Sequence, residues 1–187
     1  VQGERLLADW THARDSRIAD GPSLVIFNRA APGPDLRALG LRTGSLSLGL
    51  ASNGPGGLEW GGTTVARACS QALPLHSARF AAVMLCHLIA RGDEPELAEA
   101  CRLLQPGGRL LVLGLNRAGL RYWRLRSSIG LPGMRPLAVR ARLEALDMSI
   151  LGLHATGFCN SERPRRMNEG LARLLIPVAD LLMIVAK

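Results

Sequence analysis

Two apolar runs dominate the chain, Phe80–Leu88 (FAAVMLCHL) and Arg109–Leu115 (RLLVLGL). Each has the length of one strand buried on both faces. Between them, Glu94–Leu104 carries Leu97, Ala98, Cys101 and Leu104 on one helical stripe, opened by acids and by Pro95. Acids and proline suit a first helical turn, where the dipole favours negative charge and proline gives up no needed hydrogen bond. Gln105-Pro106-Gly107-Gly108 is a sharp stop. Pro106 ends the helix, and the glycines supply backbone freedom for a tight return. Strand, helix, tight turn, strand is a βαβ unit, which predicts a parallel sheet with helices on its faces.

The flanking segments extend this pattern. Leu6, Leu7, Trp10, Ala13 and Ile18 recur at helical spacing, so residues 1–20 predict a leading helix ended by Gly21-Pro22. Ser23–Asn28 (SLVIFN) is long enough for one buried strand, and Asp35–Leu41 for a short helix. Ser45–Ala51 (SLSLGLA) alternates with period two and predicts a strand. Asn53–Gly62 is glycine-rich and predicts a loop or hairpin, followed by a strand over Thr63–Cys69. Arg135–Leu146 predicts a second helix through Leu137, Arg140, Leu143 and Glu144. Met148–Thr156 and Leu181–Ala186 close the chain as strands, and Arg163-Pro164-Arg165-Arg166 reads as an exposed loop. No internal repeat and no linker interrupts the pattern, so residues 1–187 read as one domain.

Composition narrows the class. The chain has 187 residues, 48% of them apolar and 4% aromatic. That length buries a sizeable core without metal or disulfide staples. The apolar share excludes a disordered chain. No apolar run reaches about 18 residues, so no membrane span is expected. Val1–Arg5 is polar, which argues against a secretory signal, and the missing initiator Met fits a processed or trimmed start. Cys69, Cys86, Cys101 and Cys159 form no CxxC pair and read as reduced thiols, which points to the cytoplasm. Cys86 and His87 are neighbours and point apart if extended, and no second ligand pair stands at finger spacing, so no metal site is expected.

Charge is distributed unevenly. The net charge is +8, and nearly all of the 23 basic residues are arginine, with Lys187 the sole lysine. Such a bias fits a GC-rich genome as well as it fits selection for arginine. Residues 1–100 are close to neutral, and the excess lies in residues 101–187. The stretch Arg117–Arg142 holds seven arginines, no acid, and the pair Tyr122-Trp123. It reads either as a solvated helical face or as a surface for an anionic partner or a membrane. The aromatics are few and no recognition motif is present, which argues against nucleic acid.

Ordered together, ALPLHSARFAAVMLCHLIA and ELAEACRLLQPGGRLLVLGLN resemble the second half of class I S-adenosylmethionine-dependent methyltransferases of the small-molecule type. In that family an "LPF" element precedes strand four, as Leu73-Pro74-Leu75 does here, and a helix ending in PGG leads into strand five, as Arg102–Gly108 does here. LLMIVAK at the end of the chain resembles the family's last antiparallel strand, and the surroundings of Leu115-Asn116 and Gly119-Leu120-Arg121 resemble a small bacterial branch of methyltransferase-like proteins. The resemblance implies a doubly wound, mostly parallel α/β sheet with helices on both faces and an antiparallel last strand. It implies S-adenosylmethionine as cofactor and a small or lipid-like methyl acceptor.

Several family positions carry different residues here. The glycine-rich loop after strand one is Asn28-Arg29-Ala30-Ala31-Pro32-Gly33. The acid closing strand two is replaced within Ala51-Ser52-Asn53, the Asp after strand three falls near Cys69, and "FD" before strand four reads Phe80-Ala81. In an open α/β sheet, ligands bind beyond the carboxyl ends of the strands. The cofactor positions are therefore Asn28, Ala30, Asn53, Cys69 and Cys86. His87, at the end of strand four, is a candidate base. A lone His in an apolar run is more often a packed core residue, and Asn28 and Asn53 also read as turn residues and Asn116 as a strand-end cap. Asn116, Arg121, Tyr122 and Trp123 are the acceptor-side candidates. Two functions remain open: methyl transfer, or a non-catalytic methyltransferase-like binding module or partner subunit that has lost the cofactor.

Overall fold

The computed structural model describes residues 21–28, 46–50, 56–60, 63–69, 71–119, 122–123, 130–156, 165–166 and 179–187. One mixed sheet organises them. Its strands are β1 (Ser23–Asn28), β2 (Leu46–Leu50), β3 (Gly56–Trp60), β4 (Thr63–Ala68), β5 (Phe80–Cys86), β6 (Leu104–Asn116), β7 (Gly133–Met134), β8 (Ile150–Thr156), β9 (Arg165–Arg166) and β10 (Leu181–Ala186). The helices are α1 (Pro95–Leu103) and α2 (Pro136–Ala145). The order across the sheet is β4-β3-β2-β1-β5-β6-β10-β8-β9, with β7 beside β6.

The centre is parallel. β2, β1, β5 and β6 run in one direction, and β10 lies antiparallel between β6 and β8. This is the doubly wound α/β arrangement with a reversed last strand that the sequence predicts. Leu24, Ile26, Val83, Leu85, Leu110, Val112, Leu182 and Ile184 pack toward one face, together with Leu97 and Leu103 of α1 and Val139 and Leu143 of α2. Val25, Met84, Cys86, Leu111, Leu113, Met183 and Val185 pack toward the other. All seven residues of β5 and all six of β10 are buried. Strands shielded on both faces lose water as a hydrogen-bond partner everywhere, so their backbone groups must be paired within the sheet. Both described helices lie on the first face; the expected helices at residues 1–20 and Asp35–Leu41 fall outside the described residues.

The glycine-rich segment Asn53–Gly62 contributes β3, antiparallel to β2 and to β4, and so is a hairpin. In α1 the buried apolar residues are Leu97, Ala100 and Leu103; of the expected stripe, Leu97 is buried, Cys101 and Leu104 pack against the same core half-buried, and Ala100 and Leu103 take the deepest places. The reason is that Leu104 leaves the helix and pairs with Phe80. Burying Leu97 and Leu103 contributes about 1.5–3 kcal/mol each. In α2 the core-facing residues are Val139 and Leu143, and Leu137 is 65% exposed. Arg165 and Arg166, expected in a loop, form the short edge strand β9 against Ala155 and His154.

Two hydrogen-bond networks on α1 fix the loops around β5. At the amino end of the strand, buried Glu99 accepts from Leu73 N–H at 2.8 Å and is clamped by Arg102 at 2.7 Å and 2.8 Å. Arg102 also donates to the Leu73 and Leu75 carbonyls and to Ser77 Oγ. The Leu73-Pro74-Leu75 element is thereby bound to the helix that follows it. The guanidinium beside Glu99 outweighs burial and holds its carboxyl below the usual range.

The PGG turn is a bulge in the β5–β6 ladder, where pairing shifts between Phe80–Leu104 and Ala82–Arg109. Gly107 has φ +79°, a left-handed conformation costly for a residue with a Cβ. At Gly108, a Cβ would lie 2.9 Å from Gln105 O and 3.1 Å from Ala81 O, and backbone atoms cannot swing aside. Gly108→Val is expected to destabilise the protein by about 1–3 kcal/mol. Thermal melting checks this, and a variant as stable as the parent would show that the turn has room.

Candidate functional site

Residues at the carboxyl ends of β1, β5 and β6 form the candidate site. Phe27 pairs with Cys86, and Cys86 with Leu113, so the three ends lie side by side. Asn28 closes β1, half-buried and in register with Leu50 of β2. Ala30, Asn53 and Arg121 lie outside the described residues.

Cys86 is buried among Val25, Met84 and Leu113, and burial pushes its thiol up to about 12. It is therefore a neutral, apolar wall and not a nucleophile. Cys69 is exposed, and its backbone bridges to Ala72 just past β4. With β2 and β3 between β4 and β1, the sheet order does not bring Cys69 to the other candidates.

His87 sits where β5 leaves the sheet. Its N–H donates to Leu113 O at 2.8 Å, extending the ladder by one bond. Its φ is +57°, a left-handed conformation that histidine visits more readily than most residues but still at a cost. Its Nδ1 is buried and has no hydrogen-bond partner. An unpaired buried polar atom costs about 1–3 kcal/mol. Burial also pushes the imidazole down to about 4, so it is neutral at physiological pH. The left-handed backbone and the unpaired Nδ1 thus fall on one residue at the strand ends.

Glu94, which the sequence reading left without a role, fixes the segment after His87. Its Oε1 accepts from Ala90 N–H at 2.7 Å and Arg91 N–H at 2.8 Å, and its Oε2 accepts from Gly92 N–H at 2.7 Å. Burial raises its pKa, but these backbone donors win and hold it below the usual carboxylate range. Ile89 is buried in the core beneath, and Arg135 N–H donates to Ala90 O at 2.8 Å. An acid immediately before Pro95 at a helix start was the available signal, but it reads as an ordinary N-terminal acid. In the fold its carboxylate turns away from α1 and closes the preceding loop.

The β6 side is built differently. Asn116 is fully buried, with Nδ2 donating to Ala179 O at 2.8 Å and Oδ1 accepting from Ala118 N–H at 3.1 Å. Both ends of its amide are engaged, as in the strand-end cap that the sequence allowed. Tyr122 packs its ring on Gly133 of β7, where a Cβ would come within 2.6 Å of it. Trp123 meets Tyr122 edge to face at 6.2 Å and is 50% exposed. The fold thus brings Asn116, Tyr122 and Trp123 to one strand end, beside the strand that leads into His87. Among the described residues, no group of three His, Cys, Asp or Glu side chains could hold a metal, and no helix is long and apolar enough to cross a membrane.

Acid should loosen this region in two steps. The His87 pKa is lowered from 6.5 to about 4, so the unfolded chain takes up this proton first and stability falls as pH drops through that window. The loss is on the order of 2–3 kcal/mol. Glu94 is depressed below 4.5, so its contribution is present above that value and is lost at still lower pH. In thermal melts across this range, His87→Asn should flatten the upper step, because asparagine tolerates the left-handed backbone and does not titrate. An unchanged profile would place the titration elsewhere.

No family model matches the chain, and no curated protein matches it in sequence. Solved structures share its fold. A S-adenosylmethionine-dependent methyltransferase of Thermotoga maritima, described as a possible histamine N-methyltransferase, superposes with TM-score 0.62 at 13% identity, over 98% of this chain and 90% of that one. The CcbJ methyltransferase of Streptomyces caelestis gives 0.59 at 17% identity, over 100% and 95%. The geranyl diphosphate C-methyltransferase of Streptomyces coelicolor, solved with Mg2+, geranyl diphosphate and S-adenosyl-L-homocysteine, gives 0.56 at 12% identity, over 98% and 77%. The chain therefore has the fold of the class I S-adenosylmethionine-dependent methyltransferases.

Proposed function

We propose that the protein is a cytoplasmic methyltransferase that binds S-adenosylmethionine weakly and methylates a small or lipid-like acceptor. The observation that carries this is His87, with its unpaired buried Nδ1 at the end of a central strand of a methyltransferase fold. The surrounding chemistry fits the cofactor in part. Phe27 and Cys86 offer a neutral, apolar floor of the kind an uncharged adenine ring needs. Asn28, Ser52 and Asn53 are amide and hydroxyl groups in place of the carboxylate that grips a ribose, and Ala30 leaves room for close approach. When bound, the cofactor supplies an electrophilic methyl group on a sulfonium sulfur.

The chain's own part is alignment. Methyl transfer needs nucleophile, methyl carbon and sulfur in line, so few catalytic side chains suffice. His87 is neutral at working pH, and Nδ1 is the ring atom left to accept a hydrogen bond from the acceptor's nucleophile and orient it. Tyr122 and Trp123, on the neighbouring strand end, suit the apolar body of such an acceptor. The seven arginines within residues 117–142 suit an anionic acceptor or a membrane surface.

A second reading rests on the residues at the cofactor positions. No glycine stands in Asn28–Pro32, no acid in Ala51–Asn53, and Cys69 stands near the place of the Asp. Those changes favour a non-catalytic binding module or partner subunit. Calorimetric titration with S-adenosylmethionine and with its demethylated product separates the readings. Each lost contact should cost about 1–3 kcal/mol, so binding weaker than low-micromolar is expected. No heat at millimolar cofactor would establish the non-catalytic reading. Where methyl transfer to an acceptor is found, His87→Asn should lower kcat about 100-fold with cofactor affinity unchanged. An undiminished kcat would remove His87 from the reaction.

A further inference from the structure

Glu94 stands at the N-cap of α1, directly before Pro95, yet its side chain makes no capping hydrogen bond. Aspartate, asparagine, serine and threonine cap a helix well, because a short side chain reaches the N–H groups of the first turn. Glutamate at this place leaves that turn without a side-chain cap. Its extra methylene serves a different purpose. The carboxylate reaches backward and takes the N–H groups of Ala90, Arg91 and Gly92 at 2.7, 2.8 and 2.7 Å.

The strap so held, Leu88–Asp93, connects three elements. It follows His87, whose N–H is bonded to Leu113 O and whose backbone is left-handed. Ile89 is buried in the core, so the strap is anchored there as well. Ala90 O accepts from Arg135 N–H at 2.8 Å, which ties the strap to the residue between β7 and α2. Gly92, at φ +91°, lies tightly against α2: a Cβ there would come within 2.9 Å of Ala138 O and 3.0 Å of Val139 Cα. β7 carries Gly133, on which the Tyr122 ring packs. Backbone contacts therefore run from His87 through Ala90 and Gly92 to the end of β7 and the start of α2, and one carboxylate holds the strap in the shape that makes them.

We infer that Glu94 is a positioning residue: by holding the strap, it sets the His87 ring in place relative to the Tyr122 side of the site. This rests on the reading of His87 as the group that meets the acceptor. The direction of the side chain argues for this role over helix stability, because a residue chosen for the helix would be a shorter one. What the strap supplies is a fixed backbone on the far side of a left-handed histidine, matching the β5 ladder on its near side.

Three variants separate reach, charge and helix start. Glu94→Asp keeps the charge and suits an N-cap, but it is shorter by one C–C bond, about 1.5 Å, and cannot span the three N–H groups. Glu94→Gln keeps the reach and one acceptor oxygen, enough for Ala90 and Arg91, which share Oε1. Glu96→Gln removes the acid of the first helical turn and leaves the strap alone. The readouts are amide hydrogen exchange and the nitrogen NMR signals of the imidazoles at neutral pH, with His87→Asn to assign the His87 signal. In Glu94→Asp, exchange at Ala90, Arg91 and Gly92 should quicken about tenfold or more, and the His87 Nδ1 signal should move while that of exposed His76 stays. In Glu94→Gln, Gly92 alone should open and the His87 signal should stay; Glu96→Gln should move neither. A Glu94→Asp protein whose His87 signal keeps the parent position overturns the inference. A shift of equal size in Glu96→Gln overturns it too, since a weakened helix start would then suffice. A shifted His87 in a protein that takes no S-adenosylmethionine would leave the positioning of His87 standing and overturn only the methyl-transfer reading; an unshifted one in a protein that binds it would do the reverse.

Discussion

Burial of the central strands on both faces is the constraint from which the rest follows. Leu24, Val25, Val83, Leu85, Leu110 and Leu111 are shut away from water on alternating sides of the sheet. Their N–H and C=O groups can be satisfied only by neighbouring strands, which fixes register across β1, β5, β6 and β10 together. A slip of one residue in any of them would exchange one apolar face for the other and leave neither core intact. The core therefore leaves little freedom within the strands. Freedom exists only where a strand leaves the sheet, and there the chemistry-bearing residues Asn28, His87 and Asn116 are found.

The two ends of β5 show how that freedom is divided. At the amino end, Glu99 and Arg102 satisfy each other, the backbone of Leu73 and Leu75, and the Ser77 hydroxyl, so the polar groups named there have partners. At the carboxyl end, Glu94 satisfies three backbone N–H groups of the following loop, yet His87 Nδ1 is left without one. The contrast matters because both loops are tied to the same helix, α1. A chain able to close every hydrogen bond on one side of α1 leaves one open on the other. Polar groups left unpaired beside a well-satisfied network point to a ligand more strongly than the same groups in a loose loop.

Legibility in the sequence followed the same division. The strands Ser23–Asn28 and Leu181–Ala186 could be read to the residue, because burial on both faces demands continuous apolar runs. The βαβ unit was legible through Pro95 and the PGG turn, which are local backbone constraints. The faces of the helices were not. Leu104 belongs to the apolar stripe of α1 by spacing, but it is drawn into the ladder by Phe80. Leu137 completes an amphipathic pattern in α2, yet the core takes Val139 and Leu143. Spacing records which residues could share a face, and tertiary pairing decides which face is used. At the candidate site, the positions of His87 and Asn116 were legible because strand ends are predictable. The role of Glu94 was hidden, because a carboxylate that reaches back to Ala90, Arg91 and Gly92 leaves no periodic trace. The strand β7 was hidden for a related reason, since two residues are too few to be read as a strand.

The arginine bias of the chain gains a sharper meaning from these placements. A genome rich in GC raises arginine everywhere, and most such residues then sit on solvated faces or pair locally, as Arg140 does with Glu144. Arg102 is different, since its guanidinium is committed to Glu99 and to the backbone of a loop. Arg117 and Arg135 differ again, because backbone hydrogen bonds fix their positions while no acid among the described residues answers their charge.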